Sequence, residues 1–147
     1  MRRAAVAFIA GMAGLTASHA QEFRGVAQAA ILYDGPSRQA RKLFAAPRGM
    51  PVEVVSSLGQ WVKVRDAAGD VLWIERSDLG ERRSVVTTAV ASVRQQPQES
   101  APVVLHADRG VLLDLVESEG TAAAGWVRVR HRDGGAGWVR QTEVWGR

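Results

Sequence analysis

Apolar and polar residues alternate in short bursts along this chain. Val52 and Val54 flank Glu53, Val62 and Val64 flank Lys63, and Val127 and Val129 flank Arg128. A period of two turns one set of side chains inward and the next toward water, the pattern of a half-buried β-strand. Beyond residue 20 no stretch holds a 3.6-residue period for ten residues, so helices are not expected. The segments "DAAGD" (residues 66–70) and "RDGGAG" (residues 132–137) supply the Asp and Gly that tight hairpins need where φ is positive. Pro36, Pro47, Pro51, Pro97 and Pro102 fall at the margins of the proposed strands, where a missing N–H breaks no ladder. Many short strands with regular turns predict an all-β chain built as a small barrel or sandwich.

The strand pattern is written twice. "WVKVRDAAGDVLWI" (residues 61–74) and "WVRVRHRDGGAGWV" (residues 126–139) share Trp, Val, Val and Arg at their first, second, fourth and fifth places, and Trp near the end. "PRGMPVEVV" (residues 47–55) aligns with "DRGVLLDLV" (residues 108–116) at an offset of 61, while the Trp pairs are offset by 65. The second copy therefore carries four extra residues, which fall in the small, polar "SEGTAAAG" (residues 118–125), read as a hairpin loop. Two successive copies of this size predict two tandem small barrels, at residues 21–83 and 84–147. Each is small enough to be marginally stable alone, so packing the pair together would help.

Each copy resembles a bacterial SH3 domain. The second provides "ASVRQQP" (residues 91–97), the Gly-led strand "RGVLLDLV", the "GW" hairpin and the closing "TEVWG". The first provides "AILYDGPS" (residues 30–37), "RGMPVEVV", "QWVKVRDAAGDVLWI" and "SDLG". The first copy departs from the family pattern with Tyr33 where Arg is usual and Leu72 where Gly is usual, which puts the geometry of its last hairpin in question. "ILYDG" is also similar to the ligand-binding Tyr segment of eukaryotic SH3 domains, a short match from which function does not follow. The resemblance implies two five-stranded SH3-like barrels, of the kind that serve as cell-wall or protein-binding attachments.

The first twenty residues are set apart. Arg2 and Arg3 precede an apolar run from Ala4 to Leu15, and Ser18-His19-Ala20 places small side chains where a signal peptidase reads them. This predicts a secretory signal peptide cleaved after Ala20. The run is too short for the ~20 residues of a membrane span. The mature form then has no stable membrane anchor and is expected in the periplasm or outside the cell. There is no Cys for acylation or for disulfides.

Composition narrows the chemistry. The charge of +4 includes Arg2 and Arg3, so the mature chain is close to balanced and lacks the clustered excess of a nucleic-acid binder. Without Cys there is no Cys–His peptidase, and no G-x-S-x-G elbow raises a serine. His106 and His131 have no second ligand at metal spacing and read as solvated surface residues. Asp114 and Glu117 read as solvated carboxylates. We therefore expect no enzyme, no metal and no cofactor.

What remains is a binding face. Five tryptophans are many for a chain of this length. Strand alternation puts Trp61, Lys63 and Arg65 on one outward face, and Trp126, Arg128 and Arg130 on its counterpart, with Arg140 beside it. Asp66 and Asp70 are expected to offset the charge of the first face. Trp73 and Trp138 are expected to be the more buried pair. Exposed indoles beside guanidinium groups suit stacking and cation–π contacts with a peptide, a peptidoglycan fragment or an envelope protein, on these faces or in the cleft between the barrels. The alternative is a structural or assembly factor with one obligate protein partner and no cell-wall affinity.

Overall fold

The computed structural model describes residues 20–116 and 123–147. The proposed signal peptide up to residue 19, and most of the loop assigned to the four extra residues, lie outside the described residues.

The described residues form fourteen strands in two seven-stranded antiparallel sheets. The first contains β1 (Glu22–Val26), β2 (Ala30–Tyr33), β3 (Lys42–Ala46), β4 (Pro51–Leu58), β5 (Trp61–Arg65), β6 (Val71–Glu75) and β7 (Leu79–Gly80). The second contains β8 (Ser84–Thr87), β9 (Ala91–Arg94), β10 (Val103–Ala107), β11 (Leu112–Leu115), β12 (Trp126–Arg130), β13 (Ala136–Arg140) and β14 (Val144–Trp145). The spatial orders, β3-β2-β6-β5-β4-β1-β7 and β10-β9-β13-β12-β11-β8-β14, are the same pattern repeated. The expected all-β tandem duplication is therefore present. Each unit has seven strands and not five, because the lead-in strand (β1 or β8) and the two-residue strand after the 3₁₀ turn (β7 or β14) join the far side of β4 or β11.

Each sheet wraps around its own core. Val26, Leu32, Ala46, Val52, Val64 and Ile74, drawn from six strands, meet in the first cluster. Val85, Val93, Leu113, Val129, Val139 and Val144 do so in the second. One cluster fed by strands along the whole sheet requires the sheet to curl, as in a small barrel. The alternation holds best in β5, where Val62 and Val64 are buried between half-buried Trp61, Lys63 and Arg65.

Two pairs of local devices repeat. Gly49 and Gly110 take φ of +84° and +87°, a region L side chains rarely adopt. Their amides donate to the carbonyls of Val26 and Thr87 at 2.7 and 2.8 Å, which ties each turn back to its lead-in strand. Asp66 accepts the amides of Ala68 and Asp70 at 3.0 and 2.9 Å and so holds the β5–β6 hairpin. His131 occupies the equivalent place in the β12–β13 hairpin, with Nδ1 3.3 Å from the Asp133 amide. Two expectations are corrected here. Asp66 is buried in its own turn and is not spread over the strand face. His131 is a half-buried turn residue, not a fully solvated one, because its ring folds back onto the hairpin backbone.

The barrels touch directly. Phe23 of β1 meets Trp145 of β14 edge to face, with ring centroids 5.1 Å apart. The Ser84 hydroxyl donates to the Gly49 carbonyl across the joint. Phe23 is buried yet takes no part in the first core, and the ring of Trp145 from the other barrel is packed against it.

Candidate functional site

The outward surface of β2, β6 and β5 carries two rungs of paired residues. In the first barrel one rung is Tyr33–Trp73–Lys63 and the next pairs Glu75 with Trp61. In the second barrel the same rungs are Arg94–Trp138–Arg128 and Arg140–Trp126. Adjacent strands hold these side chains on one face, at distances where cross-strand neighbours interact. The Lys63 ammonium lies 5.2 Å from the Trp73 ring and the Arg140 guanidinium 5.2 Å from the Trp126 ring. Tyr33 stands edge-on to Trp61 at 5.3 Å and is itself buried, so its role here is to brace the indole. The first face is thus rich in aromatics and the second in guanidinium groups.

A loop folds over each face and is pinned by an ion pair of opposite polarity. In the first barrel Arg38 of the β2–β3 loop forms a two-point contact with Glu75 of β6, both bonds at 2.7 Å. In the second barrel Glu99 of the β9–β10 loop receives Arg140 of β13. Arg38 aligns with Glu99 and Glu75 with Arg140, so the two copies hold the same link with the charges exchanged. Arg94 stands 3.6 Å from Glu99 and supports it. A groove of about 590 Å³ lies at the joint between the barrels, and one of about 550 Å³ runs beside Trp61, bordered by Pro36, Arg38, Gln60 and Glu75.

The hydrogen bond from Arg38 holds the Glu75 carboxyl below its usual 4.5, and the carboxylate in turn raises Arg38. A carboxyl depressed in the folded state adds stability above its unfolded value and loses it as pH falls through the folded one. Acidification below the ordinary carboxylate range should therefore release the loop over residues 34–41. Amide exchange at Ser37 and Ala40 should quicken there. Glu75→Arg should quicken it at neutral pH, and adding Arg38→Glu should restore protection by recreating the second barrel's polarity. Protection unchanged in Glu75→Arg would show that the ion pair does not hold the loop.

The seven residues singled out from sequence are distributed as follows. Trp61 and Trp126 are half-buried on their faces, and so are Trp73, Trp138 and Trp145, so the expected contrast between more and less exposed indoles is absent. Lateral packing explains this: each outward indole is flanked by a neighbour on the next strand. Lys63 covers Trp73. Arg65 is held by the buried Glu53 at 2.9 Å, and Gln21 also reaches Glu53. Arg140 is engaged by Glu99 and Trp126. Arg128 and Arg130 are exposed, and no carboxylate among the described residues lies within ion-pair distance of either. Asp114 is not simply solvated, because Arg82 binds it at 2.5 Å. Sequence reasoning missed Arg38, Glu75 and Glu99. Their charge exchange was the available signal, since it is visible once the copies are aligned.

Among the described residues no group of three or more His, Cys, Asp or Glu could hold a metal ion, and no helix is long and apolar enough to cross a membrane.

Among solved structures, the chain is similar to NlpC2 from Trichomonas vaginalis, with 12% identity over 87% of this chain and 49% of that one, at a TM-score of 0.39. It is similar to NlpC1 from the same organism, with 14% identity over 95% of this chain and 51% of that one, at a TM-score of 0.39. The chain thus spans about half the length of these proteins. No curated protein matches it. The family model described as bacterial SH3 domain matches twice, over residues 26–81 and 88–146, in register with the two sheets, and the chain belongs to that family.

Proposed function

We propose that this is an exported, non-catalytic tandem SH3 protein that binds a peptide, a peptidoglycan fragment or an envelope protein on its outward Trp/Arg faces. The observation that carries this reading is the groove beside Trp61, which a half-buried indole lines together with a pinned loop. An indole held rigid by Tyr33 loses little entropy on binding and offers a large apolar contact. In the second barrel Trp126 and the free-standing Arg128 and Arg130 offer a complementary surface for carboxylates. The positive pair Arg2 and Arg3, the apolar run from Ala4 to Leu15 and the small residues up to Ala20 support export to the periplasm or beyond.

Retention on purified cell-wall sacculi tests it. Trp61→Ala and Trp126→Ala should each weaken retention by roughly 30-fold, the scale of a single aromatic anchor. Arg128→Ala should weaken it by roughly tenfold, the scale of one charge-assisted hydrogen bond. Circular dichroism should show the variants folded. Retention unchanged in all three would reject these faces.

A second reading, an assembly factor with one obligate protein partner and no wall affinity, is favoured by the edge strands. β3 exposes Leu43 and Phe44, and β10 exposes Val103 and Val104, at the outer edges of both sheets. Exposed apolar edges are templates for another chain. Co-purification of a single envelope protein, with no retention on sacculi, would select this reading.

A further inference from the structure

The groove between the barrels is built from four separate segments. Arg48 and Gly49 come from the β3–β4 turn, Arg82 and Ser84 from the joint, Val111, Leu112 and Asp114 from β11 and its approach, and His131 and Arg132 from the β12–β13 hairpin. It encloses about 590 Å³, within the range of small-ligand sites. Three guanidinium groups line it against one carboxylate, and that carboxylate, Asp114, is already engaged by Arg82. Asp133 stands outside the lining, 3.3 Å from His131 and 4.0 Å from Arg132, and is largely in water. Arg48 and Arg132, one from each barrel, are thus the lining cations least neutralised by their neighbours. Val111 and Leu112 form a half-buried apolar wall beside them.

Two contacts tie the barrels together beside the groove. The hydroxyl of Ser84 donates to the carbonyl of Gly49, both lining residues, and Phe23 meets Trp145 across the same joint. A charged cleft whose two sides are already joined by contacts needs less ordering on binding than one that must first close.

We propose that this cleft is a carboxylate-binding site, in which Arg48 and Arg132 take the carboxylate of a peptide whose apolar body lies on Val111 and Leu112. Arg82 contributes field but is held back by Asp114. The lining suits a short peptide end because guanidinium groups from both barrels border one cleft, and because the apolar wall gives the rest of the ligand a place to lie. The site rests on the binding role proposed above and gives that role a second, chemically distinct contact, separate from the indole faces.

The test is an NMR titration of the full mature chain with N-acetyl-Ala-Ala-Ala, with its C-terminal amide and with inorganic phosphate. The free acid should shift the amides of Gly49, Ser84 and Arg132 in a saturable manner, and the peptide amide should not. Arg48→Ala/Arg132→Ala should weaken the acid by at least about tenfold, the loss expected for removing charge-assisted contacts. Arg132 is almost fully exposed at its hairpin, so Arg132→Ala alone supplies the same readout should the double variant fail to fold. No shift with the acid, an equal shift with the amide, undiminished affinity in the variants, or binding of phosphate without the acid would each overturn the proposal. Shifts confined to the Trp61 and Trp126 indoles would also overturn it while supporting the face reading. Shifts in the cleft with silent indoles would uphold it and count against the faces.

Discussion

Replacing Gly137 with Leu should strongly destabilise the second barrel, although Leu is the residue that the first barrel carries at the same place. A Cβ added to Gly137 would sit 2.3 Å from the carbonyl oxygen of Arg94 and 2.9 Å from the Val93 side chain. The oxygen belongs to β9, the strand that pairs with β13 through Trp138 and Arg94, so relief requires the two strands to separate. Overpacking relieved by side-chain motion costs about 1–3 kcal/mol, and a clash with backbone lies at or beyond the top of that range. In the first barrel Leu72 is almost fully buried within the core, so β2 there leaves room for a side chain. Gly135→Ala is the control. Its Cβ would meet only the tip of the flexible Leu105 side chain, at 2.7 Å, and should cost under about 1 kcal/mol. In thermal melts Gly137→Leu should lower the second barrel's midpoint by roughly 10–20 °C, while Gly135→Ala moves it little. A Gly137→Leu melt matching the parent would show that β9 and β13 are not packed as closely as described.

The departure at Leu72 was visible in the chain, but its consequence was not, because a hairpin's fit depends on how closely a third strand approaches it. The period-two valines gave the strands, and the paired offsets of 61 and 65 gave the duplication, because both are local properties of the text. The site was legible only in part. Trp61, Lys63 and Arg65 do share one side of β5, as alternation requires. That Arg65 is held by Glu53 depends on the β4–β5 register, which a bulge between Val54 and Ser56 shifts. The loop links to Glu75 and Arg140 are contacts across 37 and 41 residues, beyond any local pattern. The joint was least legible. Phe23 and Trp145 align with Ser84 and Gly80 in the opposite copies, so the repeat itself offers no counterpart for either aromatic. Residues that break a duplication are where an interface between its halves is to be sought.

Trp145→Ala should for that reason convert the chain from one unit into two. The ring contact with Phe23 is worth about 0.5–1.5 kcal/mol beyond the area it covers. Removing the indole also exposes Phe23, which is 6% accessible and has no place in the first core to withdraw to. Truncating a fully buried Trp costs about 3–5 kcal/mol, and the half-buried Trp145 should fall near 2–3 kcal/mol. Most of that loss falls on the coupling between barrels, because β14 contributes Val144 and not Trp145 to the second core. Barrels of this size are marginal alone, so the weaker one should melt earlier once unclamped. Calorimetry should resolve one transition in the parent and two in Trp145→Ala, and ¹⁵N relaxation should show the barrels tumbling with separate correlation times. The variant should also weaken the peptide acid in the cleft, since Arg48 and Arg132 line it from opposite barrels and share it only while the barrels stay docked. A single transition with unchanged tumbling would mean that the Ser84–Gly49 bond and the short linker suffice to hold the barrels, and that the aromatic pair is not the clamp.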